Sequence, residues 1–150
     1  MDVLDYLPQE TEGRDSVLQI LQGLAQAMVR YQDPQSGTWY QVTDQGARKG
    51  NYLESSATAL FIYTLAKAIN EGYIGNEYIT PVQKAFDGMI REFTRLEEDG
   101  TYTLTHCCAV AGLGGNSGKY RDGSFEYYIG ESVICLLYTS PSPRDRSLSR

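Results

Sequence analysis

The chain has 150 residues, 41% of them hydrophobic and 21% charged, enough for one domain with a core and too apolar for a disordered chain. Its net charge is −6, and because 135–150 holds three arginines against one aspartate, residues 1–134 carry about −8. That balance repels phosphate backbones and excludes nucleic acid as a partner. No run reaches the ~18 apolar residues of a membrane span, so no membrane partner is expected. The acidic opening Met1-Asp-Val-Leu-Asp-Tyr-Leu-Pro is unlike a secretory signal. Cys107 and Cys108 are adjacent and Cys135 is the third cysteine; neighbours in sequence rarely pair, so no disulfide framework is expected and a reducing, cytoplasmic setting fits.

In chain order, Asp15 to Tyr31 places Val17, Leu18, Leu21, Leu24, Ala25, Met28 and Val29 at the spacing of an amphipathic helix. Asp33 to Gly37 ends it in turn residues, and Thr38 to Val42 reads as a short strand. Ser55 or Ser56 can cap a second helix that runs to Glu71 and stops at Gly72. Its residues are apolar on most faces, which predicts burial on all sides. Thr80-Pro81 opens a third, half-exposed helix with a stripe from Val82 to Leu96. Asp99-Gly100 is a turn, Thr101 to Thr105 alternates like a strand, 112–123 is a glycine-rich loop, and a fourth helix begins near Ser124 and should still run at residue 135. Outer helix, loop with strand and buried helix thus occur twice, a pattern that suits either an α/α toroid or a helical solenoid. The expected fold class is all-α, with short β-strands in the loops.

From Cys135 the composition breaks, with two prolines, four serines and three arginines. Cys135-Leu-Leu-Tyr-Thr-Ser is similar to a translated transposase-end adapter of sequencing libraries. The domain is therefore expected to occupy 1–134, with 135–150 an adapter-derived, disordered tail.

Candidate chemistry gathers in two loops. Trp39 is the sole tryptophan; it can stack on a sugar face or fill the core under a turn. Gln41 lies on the same strand face, two residues on. Glu54 stands at a helix N-terminus, as a cap favoured by the dipole or as a contact to sugar hydroxyls. In the second loop, Arg121 is the best local cation for a carboxylate, because a guanidinium fork meets it bidentately, and Asp122 can pair with Arg121 or cap the fourth helix. His106 beside Cys107 and Cys108 invites a zinc site, but the spacing is wrong for one, so no metal and no cofactor is expected.

The segments Gly37-Thr-Trp-Tyr-Gln-Val, Asn51-Tyr-Leu-Glu-Ser-Ser-Ala, Val110-Ala-Gly-Leu-Gly-Gly and Tyr120-Arg-Asp-Gly-Ser-Phe-Glu-Tyr-Tyr-Ile together resemble the C-terminal part of glycoside hydrolase family 105, the unsaturated rhamnogalacturonyl hydrolases, related to family 88. The resemblance implies a partial (α/α)6 toroid. It also implies an unsaturated uronic-acid-containing oligosaccharide from pectin as partner, cleaved by hydration of its 4,5-double bond. Trp39, Gln41, Glu54, Arg121 and Asp122 become candidate substrate-binding residues. The family's catalytic aspartate lies in a motif that none of Asp2, Asp5, Asp15 or Asp33 matches, so no residue here is expected to be catalytic. The competing class is a noncatalytic helical-repeat module that binds a glycan or a protein.

Overall fold

The structure is a computed structural model that describes residues 1–115 and 120–138. Gly118 of the glycine-rich loop, and the proline- and arginine-bearing segment 139–150, lie outside the described residues. Helix α1 spans Arg14–Arg30, α2 Ser55–Asn70 and α3 Ile79–Phe93, and a short α4 spans Phe125–Gly130. Strands β1 (Thr94–Leu96), β2 (Tyr102–Cys108) and β3 (Val133–Tyr138) form an antiparallel sheet in that order. The all-α expectation is therefore corrected to a mainly helical fold with a small sheet.

The core forms where α1, α2 and α3 meet. Ala25 and Met28 of α1, Leu65 of α2 and Ala85 of α3 close around Trp39, with Phe61, Ile62 and Val82 at the margin. Trp39 has no exposed surface. Its ring meets Phe61 edge-on at 5.2 Å between centroids, and its indole N–H donates to the Met28 carbonyl at 2.7 Å. Of its two possible roles, this is the core tryptophan under a turn. The loop below it is pinned to α3: the Gln32 amide donates to the carbonyls of Gly37 and Pro81 at 2.8 and 2.9 Å, and Arg91 donates to the Ser36 carbonyl at 2.9 Å. Gly88 makes the approach possible, since a Cβ there would lie 2.1 Å from the Ser36 oxygen.

Several boundaries differ from expectation, each for a local reason. The segment 38–42 makes only a single bridge, Tyr40 to Leu53, because Asn51 satisfies Val42 with its side chain instead, accepting from the Val42 N–H at 3.2 Å and donating to the Val42 carbonyl at 2.9 Å. Glu54, not Ser55 or Ser56, caps α2, and its carboxylate accepts from the Ala57 N–H. α3 starts at Ile79, so Thr80 and Pro81 lie inside its first turn, where proline costs no hydrogen bond. It ends at Phe93 because Thr94 to Leu96 pair with Leu104 to Tyr102. The Asp99-Gly100 turn is present, with the Asp99 carboxylate accepting from the Thr101 N–H and hydroxyl at 2.9 and 2.7 Å. α4 stops at Gly130, and the chain then extends to pair Val133 with Cys108 and Tyr138 with Tyr102. The strand thus runs four residues into the segment 135–150 that composition sets apart as a tail.

α2 is not buried on all sides. Leu60 and Tyr63 are 64% and 50% exposed on one flank, and on α3 Phe86 and Ile90 are 55% and 50% exposed on another. Large apolar side chains in such number mark surfaces suited to association. The 150-residue chain is expected to self-associate as its concentration rises, and Leu60→Glu or Phe86→Glu to reduce this in sedimentation velocity; a strictly monomeric wild type would contradict it. Trp39→Ala should lower unfolding free energy by ~3–5 kcal/mol in urea titration, whereas a loss below ~1 kcal/mol would show that the indole is not a core element.

Candidate functional site

The first loop arrives at the start of α2 through backbone bonds. The Glu54 N–H donates to the Trp39 carbonyl at 2.8 Å and the Gln41 N–H to the Tyr52 carbonyl at 2.8 Å. Thr58 closes the corner, accepting from the Trp39 N–H at 3.3 Å and donating to the Glu54 carbonyl at 2.7 Å. The Glu54 side chain is 1% exposed. Its carboxylate accepts from the Ala57 N–H at 2.6 Å, the Ser56 hydroxyl at 2.8 Å and the backbone N–H of Cys108 at 2.9 Å. The first two bonds cap the helix and suit its dipole. The third joins the helix start to the end of β2, where the second loop begins.

Gln41 reaches the same residue, its amide donating to the Cys108 sulfur at 3.3 Å. β2 can present Cys108 this way because it bulges: its register with β3 shifts between Leu104 and Cys107, and His106 takes the left-handed conformation, φ 58°. Cys107 turns inward and Cys108 toward the loop. Burial and the nearby Glu54 charge push the Cys107 thiol above its ordinary pKa. Burial, and then the Cys108 thiol, push the Tyr52 phenol far above the usual tyrosine range. The Tyr52 and Ser55 hydroxyls are buried without a well-formed hydrogen bond among the described residues. His106 is exposed and sits on Thr105, 2.9 Å from its hydroxyl, and 5.9 Å from the Phe93 ring. Among the described residues no three His, Cys, Asp or Glu side chains are grouped to hold a metal.

The second loop folds back by a bridge between Gly114 and Arg121. The Gly112 N–H donates to the Tyr127 hydroxyl at 3.2 Å, and the Arg121 guanidinium lies 3.3 Å from where a Cβ on Gly112 would be. Arg121 is half-buried, and it and Tyr127 both border Gly112. Asp122 is exposed and accepts from the Ser124 N–H at 2.8 Å, which holds its carboxyl below the usual range. Ser124 caps α4 by accepting from the Tyr127 N–H. α4 then closes on the first loop: Arg48 lies 3.8 Å from the Phe125 ring centroid and pairs with Glu126, and Ile129 packs against Gly50.

The two loops therefore meet at the N-terminal ends of α2 and α4. Of the five candidate residues, Trp39 and Glu54 face inward, 0% and 1% exposed. The indole has its partner in Met28, and all three donors to Glu54 are protein groups. Gln41 and Arg121 are partly exposed, and Asp122 is exposed beside a depression lined by Tyr120, Ser124, Glu126 and Tyr127. Tyr52, Cys108 and Arg48 carry the loop junction; of these only Cys108 is weighed from the sequence as a site residue, as a zinc ligand. Arg48 reads there as a solvated turn residue, and only the aromatic and acid at 125–126 could have signalled its partner.

Comparison with known proteins agrees with this architecture. The model of Glycosyl Hydrolase Family 88 matches residues 1–137, and the chain belongs to that family. A curated protein of Agrobacterium fabrum and the 24.9 kDa protein in the picA locus of Rhizobium radiobacter are each 34% identical over 141 residues; that match takes 89% of this chain and 58% of theirs. A glycoside hydrolase of family 105 from C. acetobutylicum is similar in structure, with TM-score 0.84 and 40% identity over 89% of this chain and 37% of its own. A possible family 105 member from Salmonella enterica matches with TM-score 0.70 and 25% identity over 90% of this chain and 32% of its own. The chain thus spans 58% of the curated relatives it matches and about a third of these enzymes.

Glu54→Ala leaves the Cys108 and Ala57 N–H groups without their acceptor. It should cost ~2–4 kcal/mol and accelerate amide hydrogen exchange at Cys108. Glu54→Gln, which keeps an acceptor oxygen, should recover part of both. Unchanged exchange at Cys108 in Glu54→Ala would mean that the carboxylate does not join the loops.

Proposed function

We propose that this chain is the C-terminal part of an (α/α)6 toroid enzyme that hydrates the 4,5-double bond of an unsaturated uronyl-rhamnose disaccharide derived from pectin. Water adds across the vinyl ether, and the resulting hemiketal collapses with release of the neighbouring rhamnose. The acid/base aspartate belongs to a part of the family fold that this chain does not span, so the 150 residues alone are inactive.

The observation that carries this reading is the junction at Cys108. It brings two loops, one with an amide and one with a cation, to the N-terminal end of α2 in a chain of a glycoside hydrolase family. The Arg121 guanidinium offers a paired donor to the uronate carboxylate, the Tyr127 hydroxyl borders the same glycine, Gly112, and the Gln41 amide can bond sugar hydroxyls. Asp122, held ionised by Ser124, repels a uronate and so orients it toward Arg121. Trp39 and Glu54 act from behind, as wall and clamp.

In the full-length enzyme, Arg121→Ala should cost ~1.5–3 kcal/mol in kcat/KM for the unsaturated uronide and much less for a neutral glycoside, followed by the loss of double-bond absorbance. Hydration by the 150-residue chain above the buffer rate, or an Arg121→Ala enzyme with wild-type kinetics, would contradict the proposal.

A further inference from the structure

The amide of Gln41 has a neighbour whose chemistry decides which way round it sits. Its nitrogen donates to the Cys108 sulfur at 3.3 Å, and the Cys108 sulfur in turn donates to the Val110 carbonyl at 3.5 Å. A thiol carries one proton, and its sulfur is a weak acceptor. With that proton on Val110, only sulfur lone pairs face Gln41. The amide nitrogen therefore meets them and the carbonyl oxygen turns away. Turned round, the amide would bring its oxygen against the sulfur with no proton between them. Gln41 is partly exposed, and among the described residues no hydrogen bond reaches its side-chain oxygen.

The sulfur is held in place independently of Gln41. The Cys108 N–H donates to the Glu54 carboxylate at 2.9 Å, and the Ala109 N–H to the Ser132 carbonyl at 2.9 Å. The bulge before Cys107 and the left-handed His106, φ 58°, turn the end of β2 so that Cys107 faces inward and Cys108 the loop. The main chain of Gln41 is fixed as well, since its N–H donates to the Tyr52 carbonyl at 2.8 Å. The Tyr52 hydroxyl is buried near the same thiol. Between two pinned backbones the adjustable part is the Gln41 side chain, and the thiol is what it rests on.

We infer that Cys108 is a positioning residue: its thiol fixes the sense of the Gln41 amide, so that the carbonyl oxygen is presented to a sugar hydroxyl. The inference deepens the proposed function and rests on it for the ligand. Gln41 is then an acceptor and Arg121 a donor. A hydroxyl satisfies the first and a carboxylate the second, and a carboxylate placed against the Gln41 oxygen is repelled. The two residues thus ask for different groups of the ring.

The test has two arms. In the 150-residue chain, the Gln41 side-chain amide is followed by heteronuclear NMR. Cys108→Ala removes the sulfur but keeps the backbone N–H that Glu54 holds. It should move the Gln41 amide resonances to the position of a free glutamine, with exchange at the residue 108 amide unchanged. Cys108→Ser, whose hydroxyl also accepts, should restore part of the shift. In the full-length enzyme, Cys108→Ala should raise KM for the unsaturated uronide about fivefold, with kcat within about twofold of wild type. In a Gln41→Ala background it should add nothing. A merely structural cysteine would act equally in both backgrounds. Gln41 resonances unmoved by Cys108→Ala would overturn the inference, as would a KM effect of the same size with and without Gln41. A full-length enzyme that does not hydrate the unsaturated uronide would instead overturn the proposed function, and the resonance arm alone then decides for Cys108.

Discussion

A carboxylate buried from water is costly unless donors surround it, and Glu54 is surrounded. It is 1% exposed and takes bonds from Ala57, Ser56 and Cys108. Two of those donors are on its own helix and would be satisfied by any good cap. The third lies 54 residues further along the chain, and it makes one side chain responsible for both the start of α2 and the seat of the second loop. Once that bond is made, Gln41 falls beside Cys108, and α4 is brought down on the turn at Arg48 and Gly50.

Behind the clamp stands Trp39. Its carbonyl holds the Glu54 N–H, its indole holds Met28 of α1, and its ring meets Phe61 of α2. The tryptophan therefore transmits the packing of the three helices to the position of Glu54. The outer surface divides by charge. Asp122 and Glu126 border one depression, and the Arg121 guanidinium lies over Gly112.

Much of this was legible in the residues. The helical spacing in 15–31 and 82–93 and the turns at Asp99-Gly100 and Gly72 depend on local chemistry, and they fall within a few residues of their expected places. Convergence of the two loops at helix N-termini was also readable, because both enter helices from the same side. The inward turn of Trp39 was open, since an indole serves a core or a sugar equally well and only the carbonyl of Met28 decides. Glu54 as a cap was legible from the dipole, but its bond to Cys108 is a tertiary contact with no local signature. The sheet was half visible. Thr94 to Leu96 continue the apolar stripe of α3, yet pairing with β2 outweighs helical spacing there. Residues 133–138 are apolar and β-prone, but the break in composition at Cys135 falls inside that strand, and its pairing with β2 is a tertiary contact.

The most direct test of the account is the structure of the full-length enzyme with an unsaturated uronyl disaccharide bound. The account predicts that Glu54 remains on the Cys108 N–H, that Trp39 remains buried against Met28, and that the sugar carboxylate meets Arg121 with Gln41 within hydrogen-bonding reach of the hydroxyls. A sugar ring stacked on the Trp39 indole, or a carboxylate of Glu54 released from Cys108 to bond the substrate, would contradict it.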